Sequence, residues 1–319
     1  MVMLFMRSPL TAAVGTLPTI MQSKIALQAL AALNLTPYRE GFHHPSRLPE
    51  NWREIRLENI TYRHPAQGGD SFGLEPVNLT LTRGQTVFLI GSNGSGKSTL
   101  SMLLTGLYPP DSGKIYVDGT EITPDTLEAH RRLFTAVFTD FYLFDHLTDG
   151  KGNDVAERLL DEWLHRLFPD KSIRIENRRI LNSRLSQGQR KRLALLAAAL
   201  EQRSVLVLDE WAADQDPHFR RIFYETLLPL LKQQGYTVFA ISHDNKYFHH
   251  ADRILSMQNG RLSEYTAAAA DAYSRGGSYQ SGMPAADNIV SPNKKYTALA
   301  RLAVLLVLSA ARYLVSFLF

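Results

Sequence analysis

Gly91-Ser92-Asn93-Gly94-Ser95-Gly96-Lys97-Ser98-Thr99 follows the apolar run Thr86-Val87-Phe88-Leu89-Ile90 and leads into Leu100-Ser101-Met102-Leu103-Leu104. The stretch reads as strand, loop and helix, and it fits G-x-x-x-x-G-K-[ST]. Its glycines let the backbone curl so that successive N–H groups face one anion, while the helix that follows adds the positive end of its dipole. That geometry suits a polyphosphate. Lys97 would reach the β- and γ-phosphates, and the Ser98 hydroxyl would hold Mg²⁺, a small hard cation that takes oxygen ligands. The plainer reading is a Gly/Ser-rich turn matching by accident; the buried-type strand before the loop and the helical pattern after it argue against that.

Beyond the loop, Gly106 to Gly113 is a turn, and Lys114-Ile115-Tyr116-Val117 a strand closed by Asp118-Gly119. Leu133 to Val137 reads as another strand. The region from about Phe141 to Leu200 is expected to be mostly helical, with Leu159, Leu160, Trp163 and Leu167 on an apolar face. Ser204 to Leu208 and Tyr236 to Ile241 are continuous apolar runs of the buried parallel-strand kind, joined by a crossover helix over Phe219 to Gln234. Upstream, Ile55 to Ile60 and Val77 to Leu81 are short strands. The expected class is α/β, a sheet covered on both faces, with a β-rich lead-in and a helical insertion.

With 319 residues, 45% hydrophobic and 21% charged, the chain can build one large or two modest cores, which excludes disorder throughout. The net charge is only +4, and the basic residues fall in short groups, Arg178-Arg179, Arg190-Lys191-Arg192 and Arg220-Arg221. These read as solvated helix faces or anion contacts rather than as a nucleic-acid stripe. The absence of cysteine excludes disulfides and thiolate metal sites.

Both ends differ from the middle. Met1 to Asn34 is apolar, with Arg7 and Lys24 its only ionised side chains, and Arg7-Ser8-Pro9 interrupts it. It has no basic n-region of a signal peptide. Ile25, Ala26, Leu30 and Leu33 recur near helical spacing, as in a helix leaving a membrane, packing on a partner or docking on the soluble domain. Thr36 to Asn51 is a proline-punctuated linker whose His43-His44 pair reads as loop. After Tyr265 comes an Ala/Gly/Ser tail, and then an apolar stretch from Tyr296 to Phe319 with Lys294, Arg301 and Arg312 on one helical face. It fits an interfacial helix, a span with snorkelling arginines, or an out-of-frame translation product.

Three further signals carry chemistry. Asp209-Glu210 follows a buried strand, so both carboxylates emerge where open α/β sheets bind ligands; the Asp can reach a magnesium shell and the Glu can orient or deprotonate a water. Ser186 and Gln189 have capping-box spacing at the start of a helix, and Gly188 permits close approach, so this helix start could bind an anion or simply cap itself. His243 lies just past the last apolar strand, where it could bond a phosphate or a carboxylate-bound water, or be a satisfied structural histidine.

In this order and spacing the motifs resemble the ATP-binding cassette (ABC) ATPases over about Arg53 to Tyr265. The resemblance implies a P-loop NTPase cassette with a mixed sheet core, an antiparallel β portion and a helical subdomain, binding ATP and Mg²⁺. It implies Walker A at Gly91 to Thr99, the signature at Leu185 to Gln189, and Walker B ending at Asp209. Glu210 would be the catalytic carboxylate, Asp216 part of the D-loop, His243 the switch histidine, and Tyr62 the aromatic that stacks on adenine. A departure occurs at Thr139, where most cassettes have a Gln that contacts Mg²⁺ and the attacking water. That segment, with Asp209-Glu210-Trp211-Ala212-Ala213-Asp214-Gln215-Asp216-Pro217, looks like the cyclic-peptide and siderophore exporter branch, similar to the pyoverdine and syringomycin exporters.

Several expectations follow from that branch. Residues 1–35 would be the end of the last transmembrane helix of an exporter, 36–52 a linker, 53–266 the cassette, 267–295 a flexible tail and 296–319 an apolar helix. The cassette would hydrolyse ATP as a head-to-tail dimer on the cytoplasmic side of a bacterial inner membrane, with a transmembrane domain, mostly missing here, and a peptide-like cargo as partners, and no nucleic acid. The rival readings are a soluble ABC ATPase of nucleic-acid repair or translation, and a nonfunctional fragment of a split exporter gene.

Overall fold

A computed structural model describes residues 18, 21–28, 48–49, 51–64, 72–170, 172–182 and 184–265. Residues 267–295 and 296–319, and most of 1–35 and of the linker, lie outside them. Residues 21–28 are helical, with Met21, Ile25 and Leu27 exposed. Among the described residues, no helix is long and apolar enough to cross a membrane.

Two strands open the folded part, β1 (Glu54–Arg63) and β2 (Gly73–Thr82), followed by β3 (Thr86–Ile90) and, after the glycine loop, α1 (Lys97–Leu104). Next come β4 (Ser112–Val117), β5 (Thr120–Glu121), α2 (Leu127–Arg131), β6 (Phe134–Val137) and α3 (Glu157–Leu167). A small hairpin, β7 (Ile175–Glu176) and β8 (Arg179–Ile180), precedes α4 (Gln187–Leu200) and β9 (Val205–Asp209). The chain ends this unit with α5 (Pro217–Ile222), α6 (Leu228–Gln233), β10 (Thr237–Ile241), β11 (Arg253–Gln258) and β12 (Arg261–Glu264).

The sheets are those the hydrophobic runs dictate. β3, β9 and β10 are buried at every position, so they belong at the centre of a covered parallel sheet, whose order is β12-β11-β3-β10-β9-β6 with only β12 antiparallel. Each of their large apolar side chains contributes about 1.5–3 kcal/mol by leaving water. A second sheet, β2-β1-β4-β5, is antiparallel and half-buried. Between the sheets lies one apolar cluster containing Leu100, Leu103 and Leu104 of α1. Trp52, at the end of the expected linker, is fully buried there and donates through Nε1 to Ser204 Oγ at 2.9 Å. A second cluster joins the other face of the parallel sheet to α3, α4 and the helices after β9.

β1 does not keep a simple alternation. Ile55 and Leu57 face the core, but Asn59 takes φ 50° and the pairing register slips, so Ile60 rather than Asn59 is the next buried residue. This bulge shifts the strand's phase and puts Tyr62 on the side of Ile60.

Two expectations change. The region from Phe141 to Leu200 is helical only over α3 and α4; Gly150 and Gly152 break the pattern before α3, and the β7–β8 turn breaks it between α3 and α4. The crossover helix is interrupted by a π-helical stretch, Phe223–Leu227, between α5 and α6.

Candidate functional site

Parallel register gathers the site. Ile241 pairs with Leu89 on one side and with Asp209 on the other, so β3, β10 and β9 end at the same edge. Whatever follows them in sequence is delivered together: the glycine loop after β3, Glu210 after β9, and Ser242-His243 after β10. Thr139, two residues beyond Val137 of β6, reaches the same edge and is exposed.

The loop is held by close backbone approach. Gly91 has φ 149°, and a Cβ there would fall 2.2 Å from the Met257 carbonyl oxygen; Gly96, at φ 107°, would strike Leu74 at 2.5 Å. Neither position tolerates a side chain. Lys97 is buried and donates through Nζ to the oxygens of Gly91 at 2.9 Å and Ser92 at 3.0 Å, so its ammonium lies inside the curl of the loop. Burial pulls its pKa down, and the nearby Glu210 and Asp209 act in the opposite direction. Ser95 Oγ is buried with no hydrogen-bond partner among the described residues. Asn93, Lys97, Ser98, Thr99 and Glu210 line one cleft, together with His64 and Phe72.

Asp209 is buried, which raises its pKa, while a hydrogen bond from the Ser98 hydroxyl and the charge of Lys97 oppose that rise. Two oxygen ligands suited to a hard cation therefore lie side by side. Glu210 adopts a left-handed backbone, φ 49°, and its Oε1 is 3.2 Å from His243 Nε2. Beneath this pair Tyr224, in the π-helical stretch, bonds Ser242 Oγ at 2.7 Å and Asp244 Oδ2 at 3.0 Å.

Beside the cleft, Tyr62 stacks on Tyr108, with centroids 5.1 Å apart and an interplanar angle of 20°. His64 meets the edge of Tyr62 and its Nε2 lies 3.1 Å from Thr99 Oγ1. Tyr108, His64 and Phe72 were invisible to motif reading; only an aromatic run around Ile60-Thr61-Tyr62-Arg63-His64 hints at them.

Ser186 caps α4 as its spacing predicts: its Oγ accepts from Gln189 N at 3.2 Å, and Gln189 Oε1 accepts from Ser186 N at 3.0 Å. Ser186 and the signature positions Gly188 and Gln189 do not line the cleft of the glycine loop. Ser186 instead borders a separate hollow with Leu143, Arg184 and Arg190.

Of the two readings of the basic groups, solvated helix faces or anion contacts, both occur. Arg190 is exposed, but Lys191 is 1% exposed and Arg192 half-buried, because a helix turns about 100° per residue and carries neighbours to different faces. Lys191 Nζ donates to the Glu210 backbone oxygen at 2.8 Å and pairs with Asp214 Oδ2 at 2.7 Å. Arg192 reaches Gln215 and Asp216 and stacks over Phe219, 3.6 Å from its centroid. Arg220 binds Asp244 Oδ1 and the oxygens of Ala213 and Gln215, whereas Arg221 stays at the surface. Asp216 itself caps α5, accepting from Phe219 N at 2.9 Å, a bond that lowers its pKa.

The family model described as ABC transporter matches residues 74–213. The chain is 38% identical over 276 residues to the ATP-binding protein SyrD of Pseudomonas syringae pv. syringae, covering 81% of this chain and 48% of that protein. To the energy-coupling factor transporter ATP-binding protein EcfA1 of Lactiplantibacillus plantarum it is 30% identical over 220 residues, 66% of this chain and 77% of that protein. To the probable syringafactin export ATP-binding/permease protein SyfD of Pseudomonas syringae pv. syringae (strain B728a) it is 32% identical over 223 residues, 65% of this chain and 33% of that protein. The chain thus spans about half of SyrD and a third of SyfD. Among solved structures, the dimeric post-hydrolysis state of the ATP-binding cassette MJ0796 bound to ADP and Pi matches in fold. It gives a TM-score of 0.54 at 24% identity, over 66% of this chain and 98% of that one.

Proposed function

This chain belongs to the ABC transporter family, and on that premise we propose that it is the ATP-hydrolysing nucleotide-binding part of an ABC exporter, working as a head-to-tail dimer. The observation that carries the reading is the convergence of Lys97, Ser98 beside Asp209, and the Glu210–His243 pair at one sheet edge.

The residues fit a magnesium triphosphate. Gly91 and Gly96 hold the loop in a conformation closed to side chains, and Ser95 Oγ is a buried polar atom with no hydrogen-bond partner among the described residues. Ser98 and Asp209 would hold Mg²⁺, which when bound neutralises charge on the phosphates. Lys97 and the backbone N–H groups of Gly91 to Thr99 grip the β- and γ-phosphates and stabilise charge that develops on them. Glu210 orients the attacking water and takes its proton, and His243 fixes the direction of that carboxylate. Tyr62 stacks on adenine. Because the cap Ser186 borders a different hollow, it serves, with Gly188 and Gln189 beside it, the nucleotide of a second copy, closing over the γ-phosphate held by that copy's Lys97. The dimeric form of the similar solved cassette supports this arrangement.

The likeness to SyfD, a probable export ATP-binding/permease protein, supports export with a membrane-embedded partner; the proposed cargo is a cyclic peptide or siderophore-type molecule, and the proposed place of the cassette is the cytoplasmic side of a bacterial inner membrane. In this reading residues 53–266 are the cassette and 1–35 the end of a membrane helix. Binding of ATP clamps the dimer, hydrolysis releases it, and the membrane domain converts the motion into alternating access.

The test is Glu210→Gln in the full chain. It should bind Mg²⁺–ATP, lose turnover and remain dimeric with ATP in light scattering. Normal turnover by this variant removes the role of Glu210, and absence of magnesium-dependent ATP affinity in the unsubstituted chain removes the reading altogether. Salt-resistant sedimentation with membranes supports the exporter assignment; release by salt counts against it.

A further inference from the structure

Lys191 is a buried cation to which the roles above give no work. It lies in the second turn of α4, and its ammonium spans two acceptors, the Glu210 carbonyl and the Asp214 carboxylate. Withdrawing such a group from water is costly unless its donors are matched, and an apolar side chain would fill the same space without that cost. The price is met by a set of parallel links. Gln187, one turn earlier on the same face, donates to the same Asp214 oxygen at 3.3 Å. Trp211 Nε1 donates to the Lys191 backbone oxygen at 2.7 Å, and Gln215 Nε2 to that of Gly188 at 3.2 Å. The start of α4 and residues 210–215 are thereby one hydrogen-bonded unit.

We propose that Lys191 is a positioning residue that ties the hydrolytic carboxylate of one nucleotide site to the serine-capped helix that closes the other. The inference rests on the head-to-tail reading: Glu210 acts on ATP held by its own chain, whereas Ser186 and Gly188 close over ATP held by the second copy. A bond between them inside one chain is therefore a bond between two sites. Glu210 is the sensitive end of the link. Its backbone sits in the left-handed region, so the direction of its side chain depends on how its peptide is held, and Lys191 holds that peptide through its oxygen. Movement of the α4 start onto a γ-phosphate is passed by Lys191 to the carbonyl of Glu210, and from there to the carboxylate facing His243.

Lys191→Met keeps the length of the side chain and removes its donors. In the full chain, the affinity of the monomer for Mg²⁺–ATP should stay within about twofold, and Glu210→Gln/Lys191→Met should still dimerise with ATP, because the cradle and the cap are untouched. Turnover should fall by about tenfold or more, as expected when a reacting group is misplaced slightly. The Hill coefficient for ATP, near its limit of about 2 for two coupled sites, should fall to about 1. Lys191→Gln, which retains donors, should recover part of both.

Unchanged turnover and Hill coefficient in Lys191→Met overturn the proposal, and so does hydrolysis without cooperativity by the unsubstituted chain. If Lys191→Met fails to fold, Asp214→Asn removes the ion pair and keeps the shape. Lowered cooperativity there supports the link, and full cooperativity refutes it. Failure of the unsubstituted chain to bind Mg²⁺–ATP is a different result, since it withdraws the nucleotide reading beneath the proposal.

Discussion

His243 Nε2 and Glu210 Oε1 lie 3.2 Å apart, although 33 residues separate them in sequence. They meet because β10 and β9 run side by side, with Ile241 opposite Asp209. The imidazole bonds the carboxylate itself, whereas Lys191 holds the peptide behind it, so His243 is expected to take part in aiming the side chain. His243→Ala should reduce turnover by about 10²-fold or more while ATP affinity changes less than about twofold. Single-turnover hydrolysis and equilibrium nucleotide binding, measured on the same preparation, separate the two effects; parallel loss of both would deny His243 this role.

Tyr62 offers an aromatic face already supported from one side by Tyr108. Stacking of a base on an aromatic is worth about 1–3 kcal/mol, so Tyr62→Ala should weaken ATP binding by roughly tenfold or more, and Tyr62→Phe should preserve it. Inorganic triphosphate, which has no base, should bind both variants equally in calorimetry.

Asp209 illustrates a conflict between stability and chemistry. Burial raises its pKa, so at neutral pH the ionised carboxylate opposes folding rather than assisting it. Asp209→Asn removes that penalty and should raise the melting temperature of the nucleotide-free protein. The same change removes a magnesium ligand and should lower Mg²⁺–ATP affinity by about tenfold or more. Thermal melts with and without Mg²⁺–ATP should move in opposite directions.

His130 supplies a pH dependence remote from the cleft. Its ring is fully buried, Nε2–H donates to the Leu104 oxygen at 2.9 Å, and burial depresses its pKa from 6.5 to about 4. The unfolded chain binds this proton between those values and the folded chain does not. The stabilisation is therefore complete above pH 6.5 and is lost as pH falls towards 4, by up to about 1.4 kcal/mol per pH unit. Urea titrations at several pH values should show this slope, and His130→Gln should reduce it.

What could be read from the sequence is what local chemistry specifies. The glycine loop between β3 and α1, the Asp209-Glu210 pair at the end of β9 and the Ser186–Gln189 cap each depend on residues adjacent in the chain, and the cap forms as its spacing predicts. The excess helix expected between Phe141 and Leu200 arose because the β7–β8 turn uses Asn177 and Arg178, both at positive φ, in place of the familiar Asn-Gly. Lys191 was unreadable for another reason. A run of three basic residues looks solvated, and only the packing of α4 against Trp211 and Asp214 turns the middle one inward. Asn59 hid the phase of β1 in the same way, since a bulge leaves little mark on composition.

The glycine cradle and the capped start of α4 open on separate hollows of one molecule. If each chain contributes unlike halves to two shared sites, defects in different halves are complementary in the genetic sense. A chain crippled at Lys97 and another crippled at Ser186, inert when pure, would pair to rebuild one whole site from their undamaged parts, whereas mixing two chains crippled at the same residue would restore none.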